Sequence, residues 1–383
     1  MAKSSPQPDV LVLGEHPCAY LAAALLRAAG PLRVIHGRIP GEEHPDRLVV
    51  INPALFKLHP FLDRAKASID LTDLNGLQFL ADDPAVSSEY RDKSVAAQIA
   101  AFRQVRTAMC KLAEEHDVKA QGGDMLEIHG LDETGVDVTV GRLRCRPKLI
   151  LLAGALPLAQ RRILGIPEEW DAEVLHRYAF LKLKGPKWLE RDPRPLMPMS
   201  LDLNGSLSWA WLLPGDGCVQ LAVEEPLEKG GVKADRAGPA RHLRRWLDVL
   251  IAHKIMKAGG SEPDLEAAIS LDLPLAGALS QDGVANRTLL FGPAGGFYSA
   301  CAEDIYPCCW SALFAVESAR KALKETFLQD ALQQYRNRWG ATLGDYLRGP
   351  QQNLRFLLPM VYRNRTMTER LAQAILSGES VVR

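Results

Sequence analysis

Near its start the chain gathers apolar residues into short dense runs. Residues 9–14 read DVLVLG, an apolar strand ending in glycine, and 32–37 read LRVIHG, a second one. Between them, 17–29 is rich in Ala and Leu without internal glycine, and Gly30 stops it as a helix would be stopped. Two buried strands joined by a helix form a parallel βαβ unit. A further helix is predicted from about 94 to 116, because Val95, Ile99, Phe102, Val105, Met109 and Leu112 recur at steps of three and four. Residues 118–152 alternate and turn like a β-meander, with a hairpin turn at Asp132, Glu133 and Gly135. KLILLAGA, from Lys148, reads as a fully buried strand returning to the parallel sheet.

The texture changes over about 166–280. Proline-rich joints (GPKW, RDPRPLMPM) separate alternating segments (SLSWAWLLP, CVQLAVEEP), and an amphipathic helix is predicted over 239–257. Strands in a run followed by a helix suggest a separate α+β domain. TLLFGPAGG, from Thr288, resumes the parallel-sheet texture, with a long helix predicted over 307–331 and further helices to Arg383, broken at Gly349-Pro350. Within the tail, NLRFLLPMVYRNR mixes apolar and basic residues. It reads as a helical lid on the core, with peripheral membrane contact as the alternative.

Composition narrows the function classes. Lys plus Arg number 46 and Asp plus Glu 46, so the neutral chain has no bulk electrostatic reason to bind nucleic acid. With 47% hydrophobic and 24% charged residues over 383, it has the balance of a globular protein with a large core. No stretch approaches the roughly 20 apolar residues of a membrane span, and the start, MAKSSPQPD, lacks the plan of a signal peptide. A cytoplasmic location is expected. Seven Cys without a CxxC pair, and nine His without HExxH, point to neither a disulfide framework nor a metal site.

The chemistry-bearing segments are the glycine turns. A strand, a tight glycine turn and a helix form a nucleotide-binding start, because the helix N-terminus attracts a diphosphate and glycine lets the backbone approach it. Here the turn is Gly14-Glu15-His16-Pro17-Cys18-Ala19. Against G-x-G-x-x-G, Gly14 keeps the first glycine, His16 takes the second position and Ala19 the third. Where an acid would hold a ribose at the end of the second strand, the sequence offers His36, with Glu42 and Glu43 further on. Gly292, Pro293, Ala294, Gly295 and Gly296 form a second turn ahead of the long helix.

These pieces together resemble the FAD-dependent geranylgeranyl reductase-like proteins, within the p-hydroxybenzoate hydroxylase-type flavoprotein group. Gly292, Ala294, Gly295, Gly296, Phe297, Ile305, Tyr306 and Pro307 match the family's second turn, and Trp310, Ser311 and Ala312 continue it into the helix. Pro293 replaces the family's Asp, and Asp304 the Gly of G-I-Y. GALPLAQRRILGIP matches at Arg161, Arg162, Leu164, Gly165 and Ile166, and WAWLLPGDG at Trp209, Trp211 and Pro214–Gly217. The resemblance implies an α/β fold: a three-layer FAD-type Rossmann domain with an inserted α+β substrate domain on an antiparallel sheet. The first would comprise 1–75, 95–165 and 283–330, the second 76–94 and 166–282, with C-terminal helices over 331–383. It implies FAD, a small apolar, aromatic or isoprenoid-type substrate, and NADPH as a reductant. Cofactor contacts would come from Gly14, His16, Ala19, His36, the second turn, and Arg103 or Arg106. Trp211, Tyr298, Cys301 and Tyr306 would line the substrate pocket, and no catalytic residue is singled out. All the departures fall at cofactor contacts. Either FAD is held by substitute groups, or the chain is a flavin-free relative that binds a ligand or a partner.

Overall fold

Strand Val10–Leu13 is wholly buried and pairs in parallel on both sides, Val12 facing Leu151 on one flank and His36 on the other. Its side chains alternate between two cores, as a strand's must. Val10 and Val12 face helices Pro17–Ala28, Phe102–Glu115 and Ile305–Ala322, while Leu11 and Leu13 face a three-stranded meander, Leu126–Leu131, Val136–Val140 and Leu143–Cys145. Helices, parallel sheet and meander make three layers. The computed structural model describes residues 7–122, 125–166, 170, 174–203, 208–226, 238–258, 263–274, 283–347 and 354–378.

The parallel sheet runs in the order Val284–Ala285, Thr288–Leu290, Leu149–Leu152, Val10–Leu13, Val34–Gly37, Ala120–Gln121. A second sheet has seven strands, Ile269–Pro274, Leu175–Lys184, Cys218–Pro226, Ala210–Gly215, Leu196–Ser200, Gly76–Leu80 and Ser87–Arg91 in that order. It is antiparallel, as expected, apart from one parallel pair, Leu196–Ser200 with Gly76–Leu80. Helix Gly238–Ala252 covers one face through Leu243, Trp246 and Leu250. The other face packs against Val361 and helix Arg365–Ser377, and the Tyr362 hydroxyl donates to Leu80 O at 3.2 Å. No helix among the described residues is long and apolar enough to cross a membrane.

Two predicted helices are corrected. The segment expected to be helical from 94 is a strand over Ala97–Ala101, followed by a helix over Phe102–Glu115. It is paired on both edges, by Leu48–Ile51 and by Thr72–Leu74, and that double pairing outweighs a helix-compatible spacing. The long helix expected over 307–331 is two, Ile305–Ala322 and Leu328–Gly340, because Lys324, Glu325 and the exposed Phe327 form a turn between them. The break expected at Gly349-Pro350 lies outside the described residues.

Trp246 joins the amphipathic helix to the large sheet. It is fully buried, and its indole N–H donates to Trp211 O at 3.1 Å. Trp246→Ala should therefore cost about 3–5 kcal/mol, read as a lowered midpoint in urea denaturation, with Trp246→Phe intermediate.

Candidate active site

The two glycine turns meet at the C-terminal ends of the parallel strands, where open α/β sheets bind their ligands. Gly14 has φ +123, and a Cβ there would stand 2.9 Å from Gly154 N. Gly292 has φ +56, and a Cβ would fall 2.5 Å from Cys18 Sγ. Only glycine allows these approaches, so the first turn, the second turn and the 153–155 segment are locked together.

A cavity of about 450 Å³ opens beside them. Its lining includes His16, the 40–44 loop, Arg47, Gly154, Arg161, Pro293, Ala294, Tyr298 and Asp304. Glu42 reaches across it from the loop after the second strand. Its carboxylate accepts from Glu15 N–H at 3.0 Å and from His44 Nε2 at 3.0 Å, and lies 2.5 Å from where a Cβ on Gly154 would be. An acid of the chain itself thus sits on an amide of the first glycine turn, one residue ahead of the helix N-cap. Beside it, Glu15 pairs with Arg106 and, at 3.5 Å, with Arg38.

Deeper in lies a buried charged group. Asp304 accepts from Arg47 Nη2 and, at 3.3 Å, from His16 Nε2, all three residues being almost fully enclosed. Burial would raise the Asp304 carboxyl, but the Arg47 charge and the His16 hydrogen bond hold it below its ordinary value. The Arg47 guanidinium lies 4.4 Å over the Phe102 ring. On the other side of the imidazole, His16 Nδ1 accepts from Cys18 N–H at 3.3 Å, capping helix Pro17–Ala28, and lies 3.1 Å from Cys18 Sγ. Burial pushes the Cys18 thiol up, while hydrogen bonding to Cys308 and the facing imidazole bring it below its ordinary value overall.

His16, Pro293, Ala294 and Tyr298 line the cavity, with Gly14 and Ala19 in the turn beneath it. Gly292, Gly295 and Gly296 stand behind Pro293 and Ala294. The second turn spends its N–H groups internally: Gly292 on Ser311 Oγ, Ala294 on Ala153 O, Gly296 on Pro293 O and Phe297 on Gly292 O. His36 does not reach the cavity. It lies within the strand rather than beyond its end, sealed from solvent, with Nε2 donating to Gly14 O at 2.7 Å and its ring against Tyr20. Arg103 borders a separate depression beside Lys111, and Arg106 is the arginine that reaches the first turn. Trp211 packs against Tyr178 and Phe180 in the inter-sheet core. Cys301 is buried in the same core, its thiol pushed well up by burial, and Tyr306 packs on Trp310 and Tyr346. Arg47 escaped the sequence reading altogether. Asp304 was visible there only as a departure from a motif, and Glu42 only as an acid after the second strand.

No family model matches the chain, and no curated protein matches it. Solved structures do. A geranylgeranyl bacteriochlorophyll reductase-like protein of Thermoplasma acidophilum superposes with a TM-score of 0.70 at 13% identity, covering 98% of both chains. PqsL, a probable FAD-dependent monooxygenase of Pseudomonas aeruginosa, gives 0.60 at 16% identity over 94% of this chain and 98% of its own. A flavin-dependent brominase gives 0.65 at 15% identity over 97% and 94%. The chain shares the fold of these solved structures over most of its length.

Glu303, next to Asp304, is fully buried among Ser299 Oγ, Tyr346 OH and Tyr306 N–H, and burial raises its carboxyl to about 8. The folded chain then keeps a proton that the unfolded chain loses near the ordinary glutamate value. Stability should fall as pH rises from about 5 to about 8, and the fall should be shallower in Glu303→Gln. Unfolding midpoints of both proteins across that window test this; parallel slopes would refute it.

Proposed function

We propose that the chain is a flavin-dependent oxidoreductase of the reductase and monooxygenase type, taking FAD along the cavity between the two turns. Its substrate would be a small apolar or aromatic molecule, isoprenoid-type included, and NADPH its reductant. The fold supports this, and one observation carries it: the Glu42 carboxylate occupies the anion position at Glu15 N–H. That carboxylate is a stand-in for a cofactor phosphate, and the glycines at 14 and 154 leave the room that such a group needs.

FAD when bound would supply the hydride chemistry. The chain's own residues would bind and exclude. Glu15 N–H would hold the diphosphate after Glu42 withdraws, and Arg106 and Arg38 would balance the added charge. Arg47 and His16 would keep Asp304 paired and ionised at the cavity floor. Tyr298, buried on the wall, would shield the reacting end from water.

Three carboxylates, of Glu15, Glu42 and Asp304, crowd the place where a diphosphate would lie, and His16 fills the second glycine position. These features motivate a second reading, a flavin-free relative that keeps the cavity for another ligand. Glu42→Ala separates the two. If FAD must displace Glu42, removing one charge-assisted hydrogen bond should tighten FAD about tenfold. Absorbance of protein purified without added cofactor, then FAD titration of both forms, reads the outcome. Failure of both proteins to bind FAD would establish the flavin-free reading.

A further inference from the structure

We infer that His16, Cys18 and Cys308 form a buried binding site for a thiophilic divalent cation of the Zn²⁺ class. The three donor atoms lie within 4.8 Å of one another, and the residues are 1%, 0% and 0% exposed. The set is two sulfurs and one imidazole nitrogen, the donors that Zn²⁺ prefers over harder cations. His16 and Cys18 come from the start of helix Pro17–Ala28 and Cys308 from the first turn of helix Ile305–Ala322. Nearly 300 residues of sequence separate the two contributions, which is why spacing did not reveal the group.

The orientation of His16 is the strongest argument. Its Nε2 is committed to Asp304, itself held by Arg47, so Nδ1 is the nitrogen left facing Cys18 Sγ, and a bound cation would take that nitrogen over from the Cys18 N–H it now caps. A carboxylate behind a histidine, fixing tautomer and ring plane, is the outer shell that metal-binding histidines ordinarily have. Space has also been kept for the sulfurs. A Cβ on Gly292 would come 2.5 Å from Cys18 Sγ and 3.8 Å from Cys308 Sγ, so this glycine borders both. Nδ1 and Cys18 Sγ, now 3.1 Å apart, need to open to about 3.5 Å for tetrahedral bonds of about 2.0 and 2.3 Å.

The charges balance. The ion binds two thiolates and a neutral imidazole, the thiol protons and any proton on His16 Nδ1 leaving to solvent, and two thiolates neutralise a divalent ion, leaving the Asp304–Arg47 pair neutral beside it. His16 and Asp304 border the cavity, which provides an entry path. The site lies behind the cavity wall, and the inference does not depend on whether flavin binds.

The test is chelator treatment of the full chain followed by titration with Zn²⁺, and with Co²⁺ as a coloured substitute. Expected are one Zn²⁺ per chain, thiolate-to-cobalt charge-transfer absorption, and X-ray absorption showing two sulfurs at about 2.3 Å and one nitrogen at about 2.0 Å. Cys18→Ser and Cys308→Ser should each weaken Zn²⁺ at least tenfold, whereas Cys309→Ser, at a neighbouring buried thiol, should not. The spectra of the unaltered chain stand even if a variant fails to fold. Absence of stoichiometric metal in the folded wild-type chain, a scatterer shell without sulfur, or a Cys18–Cys308 disulfide in its place would overturn the inference.

Discussion

The buried Asp304 carboxylate governs the architecture around the cavity. It gathers Arg47 from the loop before strand Leu48–Ile51 and His16 from the first turn, while itself belonging to the start of helix Ile305–Ala322. Three segments far apart in sequence are thus bound at one point. Enclosed charges are expensive unless paired and hydrogen-bonded, and removing one partner typically costs several kcal/mol. The group therefore punishes misassembly more than it adds raw stability. Its Oδ1 has no hydrogen-bond partner among the described residues, which leaves the carboxylate all the more dependent on Arg47 and His16.

From this point the two halves of the molecule are joined in turn. Strand Leu48–Ile51, just after Arg47, is clamped to the seven-stranded sheet by Gln220, whose amide donates to Leu48 O at 2.9 Å and accepts from Leu48 N at 2.7 Å. Phe102 N donates to Arg47 O at 2.8 Å, and the Phe102 ring packs under the Arg47 guanidinium. The floor of the cavity is therefore shared by the parallel sheet and the large sheet. It resembles the mouth between two layers in which a flat, partly apolar ligand is held.

The sequence revealed the fold more fully than the site. The βαβ start, the meander and the second glycine turn were legible because strand and helix periods are local and repeat within a few residues. Ala97–Ala101 was misread because its identity as a strand comes from two partners that no local pattern announces. Among candidate site residues, the turn positions were legible from motif spacing. His36 faces the core because it lies within strand Val34–Gly37, and the sequence does not say to which side of the sheet a strand-end side chain points. Arg47, Glu42 and the Cys18–Cys308 approach depend on contacts between distant segments, and residue type alone does not encode them.

The loop that carries Glu42 is tied at both ends, by Arg38 N–H on Gln121 O at 2.9 Å and by the Gln220 clamp at Leu48, with Gly41 at φ +77 between them. Inside that span Ile39 is buried and Arg47 is fixed to Asp304, so only the residues around Glu42 are free to move away from the first turn. The Glu15 amide is covered by Glu42 and can exchange with solvent only once that carboxylate leaves it. Its rate of hydrogen–deuterium exchange is thus a built-in clock for the opening of the cavity, readable without knowing what enters it.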